Sequence, residues 1–276
     1  MGDGPELPVP EALPAAAVDT HGHLSDPRLA PRAARLVTRA RAAGVAFVLD
    51  PGVDVESSER ALAHARLFGE AVRAAVGIHP HEAARATAAD WQRLESLARD
   101  PLCVAIGEVG LDDYRVLSPP EAQEEALERA LDLAGRVGKP VLLHVRDAFP
   151  RLFAVLDRSA PVRGVVHAFW GDRATAEACL ERGLLIGVGG AVTFRREQGL
   201  RETLAALPAG SLVLETDAPY LAPEPLRGRP NEPAFVALTA RRLAEIRGMD
   251  VRTLVAETTR AASQVLEWPD LRGSTA

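Results

Sequence analysis

Short apolar runs rich in β-branched residues recur along the chain, and each is followed by a longer Ala/Leu/Arg stretch whose apolar positions repeat at helical spacing. Eight such units can be read. The predicted strands are Ala16–Thr20, Ala46–Asp50, Ala74–Ile78, Val104–Glu108, Val141–Val145, Gly164–Ala168, Leu185–Val188 and Leu212–Thr216. Helix punctuation agrees with this alternation. The periodicity of Pro31–Ala43 stops at Gly44, and Ser118-Pro119-Pro120 opens a long amphipathic stretch that closes at Gly138-Lys139-Pro140.

Eight strands with helical crossovers, at roughly 30 residues a unit, fill the ~250 residues typical of a (β/α)8 barrel. The expected fold class is therefore α/β, a single-domain TIM barrel over residues 1–276 with its core at about 15–250. The tail Val251–Trp268 is expected to form one extra C-terminal helix closing the outside. No linker, charge block or low-complexity segment breaks the alternation. A doubly wound open sheet would place a glycine-rich phosphate loop after the first strand. Thr20-His21-Gly22-His23 stands there instead.

A length of 276 residues with 47% hydrophobic side chains supports a large core. The longest apolar stretches, such as Ala15–Val18 and Val45–Leu49, fall far short of the ~20 residues a membrane helix needs, and no charged-then-apolar leader opens the sequence. The expectation is a soluble cytoplasmic protein with no membrane association and no obligate protein partner. Cys103 and Cys179 then read as two free thiols in a reducing compartment. With 38 acidic against 32 basic residues, the net charge of −6 argues against a general electrostatic grip on nucleic acid. A polyanionic substrate would have to be held locally.

The histidines carry the chemistry. Six of the seven lie at or just beyond the carboxyl end of a predicted strand: His21 and His23 after the first, His79 and His81 after the third, His144 on the fifth and His167 on the sixth, while His64 alone sits in a helix. In a parallel barrel those ends converge on one mouth. His21 and His23 share the period of a strand, so both rings fall on one side, within reach of a single ion. Glu108 ends the fourth predicted strand, and Asp217 ends the eighth. Carboxylates buried beside imidazoles ask for a neutralising cation. His21, His23, Glu108, His144, His167 and Asp217 are too many donors for one tetrahedral ion, which points to two divalent metals, Mg, Mn or Zn. Barrel hydrolases with paired metals often bridge them with a modified lysine. The only lysine, Lys139, begins the fifth strand and would lie at the opposite end of the barrel. That leaves Glu108 as the best bridge.

These residues stand in motifs that together resemble the TatD family of metal-dependent hydrolases, commonly deoxyribonucleases. The resemblance runs nearly the whole chain: Asp19-Thr20-His21-Gly22-His23-Leu24, Gly77-Ile78-His79-Pro80-His81, Gly107-Glu108-Val109-Gly110-Leu111-Asp112, His144-Val145-Arg146-Asp147-Ala148, His167-Ala168-Phe169, Glu215-Thr216-Asp217-Ala218-Pro219-Tyr220-Leu221 and Asn231-Glu232-Pro233. It implies a TIM barrel and a divalent-metal centre on the same six residues, with His79 and His81 near the site but not principal ligands. Gly22 stands where the family usually has Cys, Val145 where it often has Ser, and Ala168-Phe169-Trp170 where it often has a Cys-Phe-Ser run. These departures bear on the shape of the substrate mouth.

The reading that follows is a nuclease acting on ends of single-stranded or frayed DNA, or of RNA, through a metal-activated water. Asp217 is either the base for that water or a ligand only, and Glu108 is the bridge. Arg146, Arg195, Arg196, Arg227 and Arg229, with His79 and His81, are the candidate substrate contacts, and Tyr114, Trp170, Phe194 and Tyr220 are candidate stacking platforms for unpaired bases. An amidohydrolase or esterase acting on a small metabolite would use the same two metals. A catalytically silent binding protein is disfavoured by the intact ligand set.

Overall fold

The computed structural model describes residues 7–268. Eight parallel strands follow one another in chain order: β1 Ala17–Asp19, β2 Val45–Pro51, β3 Val72–Val76, β4 Cys103–Asp112, β5 Val141–Arg146, β6 Gly164–Val166, β7 Leu184–Val188 and β8 Leu212–Leu214. The Thr20 N–H donates to the Leu214 carbonyl at 3.0 Å and joins the last strand to the first, so the sheet closes into a barrel. The crossovers carry α1 Ala33–Ala42, α2 Val55–Phe68, α3 Ala88–Ala98, α4 Pro120–Val137, α5 Phe149–Arg158, α6 Arg173–Glu181, α7 Gln198–Ala206 and α8 Val236–Arg247. Among the described residues no helix is long and apolar enough to cross a membrane.

Local chemistry sets the helix ends. Asp54 and Ser57 form a reciprocal cap on α2, in which the Ser57 N–H donates to Asp54 Oδ1 at 2.7 Å and the Asp54 N–H to Ser57 Oγ at 3.0 Å. Thr87 and Asp90 do the same for α3. Proline opens α4, and Gly138, left-handed at φ +70°, ends it.

Side chains alternate across the barrel wall. Ala17, Val76, Leu143, Val166, Ile186 and Leu214 join the layer shared with the helices, whereas Val18, Leu49, Ala75, Ala105, Leu142, Val165 and Val213 fill the interior. The ninth helix, α9 Val251–Leu266, spans both layers. Its Leu254 and Val255 join the outer layer, but Ala261, Ala262, Val265 and Leu266, with Trp268, pack into the interior cluster, where Trp268 meets Phe47 edge-on at 5.6 Å. The extra helix thus seals the amino-terminal end of the barrel as well as covering its side, because Trp268 and the small alanines fit beneath the interior strand residues. Lys139 is at that same end: its Nζ donates to the Ala98 and Asp100 carbonyls, in the approach to β4.

The fourth strand differs from expectation in a way that matters. It continues past Glu108 to Asp112, pairing Gly110 with His144 and Asp112 with Arg146 on β5. Gly107 and Gly110, which suggest a turn in sequence, instead allow close approach of the backbone: a Cβ at Gly110 would lie 1.9 Å from the His144 carbonyl oxygen. The register slips by one residue between Ile106 and Val109. This bulge exchanges the two faces of β4. Ala105 points inward and Ile106 outward below it, whereas Val109 and Leu111 point outward above it. Glu108, Gly110 and Asp112 consequently face the barrel axis.

Candidate metal centre

Glu108, 3% exposed, occupies the middle of the carboxyl-terminal mouth, with five imidazoles around its carboxylate. Oε2 lies 3.4 Å from both His21 Nε2 and His23 Nε2. Oε1 lies 2.8 Å from His167 Nε2, 3.0 Å from His144 Nδ1 and 3.5 Å from His79 Nε2. Asp217 Oδ1 joins the Oε2 side, 3.5 Å from His23 Nε2. All six proposed ligands therefore meet around one carboxylate, which divides them into two sets. His79, placed beside the site by resemblance alone, stands among the inner imidazoles.

The donor set fits divalent cations. His21 Nε2 and His23 Nε2 are 3.0 Å apart, and His144 Nδ1 and His167 Nε2 are 3.1 Å apart. Nitrogen lone pairs and carboxylate oxygens directed at common points repel one another unless a proton or a cation sits between them. Three groups, His21/His23/Glu108, His21/His167/Asp217 and His79/Glu108/His144, each bring their ligand atoms within 4.8 Å of one another. The electrostatics follow from the crowding. Burial alone would raise the Glu108 carboxyl, but the surrounding histidines, His167 foremost, hold it well below the usual carboxylate range. Burial and the neighbouring His167 push His21 down to about 3, whereas at His23 burial is overcome by Asp217 and Glu108, and its imidazole rises to about 9.

Supporting carboxylates hold the ligands in place, and sequence reading did not single them out. Asp112, 1% exposed, accepts from His144 Nε2 at 3.2 Å and His81 Nε2 at 2.8 Å through Oδ2, while its Oδ1 takes the Tyr114 and Arg115 backbone N–H groups. His81 is thus separated from Glu108 by Asp112. Asp50 accepts the backbone N–H and hydroxyl of Ser25, two residues beyond His23, and its other oxygen meets His64 Nδ1 at 2.9 Å. Asp19 ties β1 to the loop after β8, accepting from the His21 N–H and from both the N–H and hydroxyl of Thr216. Burial raises the Asp19 carboxyl to about 7 against those hydrogen bonds. Asn231 Nδ2 donates to the Thr216 and Tyr220 carbonyls at 2.8 and 2.7 Å, which fixes the turn that carries Asp217. The one available signal was periodicity: once β4 is known to run on, Asp112 lies on the same face as Glu108.

Sharp turns deliver the ligands. His23, Ala168 and Asp217 have positive φ of 37°, 43° and 57°, left-handed values that cost a non-glycine residue about 1 kcal/mol or more. At Gly22, a Cβ would sit 2.5 Å from Val48 Cγ1, so the space a cysteine would take there is already filled.

The candidate substrate residues lie around this mouth. Arg195 and Arg196 are exposed beyond β7 and Arg227 and Arg229 beyond β8, while Arg146 stacks its guanidinium over the Tyr114 ring at 3.8 Å. Tyr114, Trp170 and Tyr220 are 62, 47 and 51% exposed. Phe194 is not: the short helical turn Gly190–Thr193 directs it inward, and Arg227 covers its ring at 4.5 Å. Cys103 and Cys179 are free and buried.

Residues 18–267 match the family described as TatD related DNase. A 3'-5' ssDNA/RNA exonuclease TatD of Enterobacter lignolyticus (strain SCF1) is 42% identical over 247 residues, spanning 86% of this chain and 93% of that one. The crystal structure of YjjV, a TatD homologue from Escherichia coli K12, superposes with a TM-score of 0.85 at 32% identity, covering 90% of this chain and 97% of its own. A TatD-family hydrolase from Entamoeba histolytica, 19% identical, shares the fold with a TM-score of 0.82 over 93 and 99% of the two chains. The histidine-ringed mouth thus sits in a barrel matched along almost all of its length, and the chain belongs to the TatD-related DNase family.

Proposed function

We propose that the chain is a divalent-metal-dependent exonuclease that shortens single-stranded DNA or RNA, with one ion on each side of Glu108. The single observation carrying this reading is the division of ligands by that carboxylate: His21, His23 and Asp217 toward Oε2, and His144 and His167 toward Oε1. The activity named for the Enterobacter relative supports the substrate class. Divalent cations in these positions supply Lewis acidity, making water more acidic and drawing charge from a phosphoryl oxygen.

The chain's own groups do the rest. Asp217 faces the same point as His23, and although burial would raise its carboxyl, the hydrogen bond to His23 and the nearby imidazoles hold it below the ordinary value. It is an ionised acceptor at neutral pH and takes the proton of the attacking water. The water oxygen bonds to phosphorus, the bond to the leaving sugar oxygen breaks, and the products are a phosphate monoester and a free hydroxyl. Arg146, Arg195, Arg196 and Arg227, with His79 and His81, hold the strand's phosphates near the mouth. Tyr114, Trp170 and Tyr220, exposed just beyond the strand ends, offer π-faces to unpaired bases. The location is the cytoplasm, where such ends arise.

The test is a panel of 5′-labelled single-stranded DNA, RNA and a small carboxylic ester, each with Mg²⁺, Mn²⁺ and Zn²⁺. A ladder growing from the 3′ end of a nucleic acid is expected. Ester hydrolysis alone would transfer the site to a small metabolite, and inertness toward all three substrates would leave a binding protein.

A further inference from the structure

Beside the metal mouth, the loops after β1 and β8 enclose a cavity of about 650 Å³ that the catalytic reading does not use. Four arginines, Arg28, Arg32, Arg227 and Arg229, line it over an apolar floor that includes Phe194 and Leu221. Pro219, two residues from Asp217, also lines it, so the cavity adjoins the proposed catalytic carboxylate along the chain.

Two of the arginines are already oriented. Asp26 grips Arg28 through two hydrogen bonds, Nε to Oδ1 at 2.9 Å and Nη2 to Oδ2 at 2.7 Å, and the Arg28 guanidinium lies 4.5 Å from the centre of the Tyr220 ring. Arg227 lies flat over Phe194. Asp26 neutralises one of the four charges, which leaves an excess of positive charge in a chain whose net charge is −6. A cavity of this size suits a single small organic ligand, and planar guanidiniums stacked on rings suit an aromatic base while their edges bind phosphate.

We infer that this cavity is a nucleotide subsite for the strand being cut. The base of the residue next to the scissile phosphate stacks on the Arg227–Phe194 pair, and its phosphodiester sits among Arg28, Arg32 and Arg229. The inference rests on the nuclease reading and gives it a location for substrate affinity: the polyanion is held by one built pocket, not by the general surface.

The experiment uses the full chain as purified and a fluorescent ten-nucleotide phosphorothioate strand that resists cleavage, with binding followed by anisotropy across a salt series. Wild type is compared with R227A/R229A and with the single reversal R229E. Expected are a loss of affinity of about tenfold or more in each, and a salt slope shallower by about 1.4 in the double variant, from about 0.7 per lost single-strand phosphate contact. Unchanged affinity and slope in both variants, beside a wild type that degrades the ordinary phosphodiester strand, would overturn the pocket and leave the nuclease reading standing. A wild type that does not degrade that strand with any of the three metals would overturn both.

Discussion

Replacing Asp112 by Asn tests whether the metal ligands are oriented from behind. The wild-type carboxylate only accepts, so it requires a hydrogen on His144 Nε2 and leaves the His144 Nδ1 lone pair directed at Glu108 and His167. An Asn keeps the shape, and its oxygen can still take the Tyr114 and Arg115 N–H groups. Its NH₂, however, donates toward His144 Nε2 and favours the opposite tautomer, with the hydrogen on Nδ1 where an ion would bind. The expected cost is a 10- to 100-fold loss of metal affinity and of activity, on the order of 1.4–2.7 kcal/mol. Stability should fall by only about 1 kcal/mol, the charge assistance lost from two backbone hydrogen bonds, whereas Asp112→Ala strands both N–H groups at ~1–3 kcal/mol each. Calorimetric Mn²⁺ titration, oligonucleotide cleavage and urea unfolding should be run on all three proteins. If D112N binds Mn²⁺ and cuts the strand as wild type does, Asp112 does not orient His144 and the tautomer argument is wrong.

Other expectations follow from single contacts. Glu108→Ala should lose both metal and activity by at least about 100-fold while keeping the far-ultraviolet circular dichroism of the barrel, and normal metal content with full activity would remove Glu108 from the centre. Asn231→Ala leaves the Thr216 and Tyr220 carbonyls without their donor and should cost roughly 1–3 kcal/mol in chemical denaturation, with a further fall in activity because the Asp217 turn loosens. Arg195→Ala with Arg196→Ala should flatten the salt dependence of strand cleavage; an unaltered slope would make them ordinary surface charge. Burial raises the thiols of Cys103 and Cys179 to about 11 and 12 from an ordinary 9.0, so neither should react with iodoacetamide at pH 8 until the chain unfolds. The same shifts favour the folded state below pH 9, and that contribution should be lost as pH rises through the folded values.

The alternation of strands and helices was plain in the sequence because each barrel strand is a short apolar run with a helix behind it. The six central donors were legible for the same reason, since parallel strands bring their carboxyl ends together. What the sequence hid was register. Nothing in Gly107-Glu108-Val109-Gly110 announces a bulge, so Glu108 looked like a strand end and Asp112 lay outside the site. The sealing of the barrel floor by Trp268 and the inward turn of Phe194 were hidden as well, because each depends on contacts with residues more than 30 positions away. Asp50 and His64 gave no signal either, as their pairing joins a strand to a helix fourteen residues later.

The bulge in β4 makes two kinds of genetic error unequal. A point substitution at Val109 or Leu111 alters packing against the outer helices and leaves the carboxylates facing the axis. Loss of one codon at Gly107 would restore regular alternation, turning Glu108 and Asp112 into the oily outer layer and Val109 and Leu111 into the mouth. All five imidazoles would remain, but around a plug of hydrocarbon. Relatives of this barrel can therefore drift widely in sequence along this strand, yet they are held to the same residue count between Ile106 and Asp112.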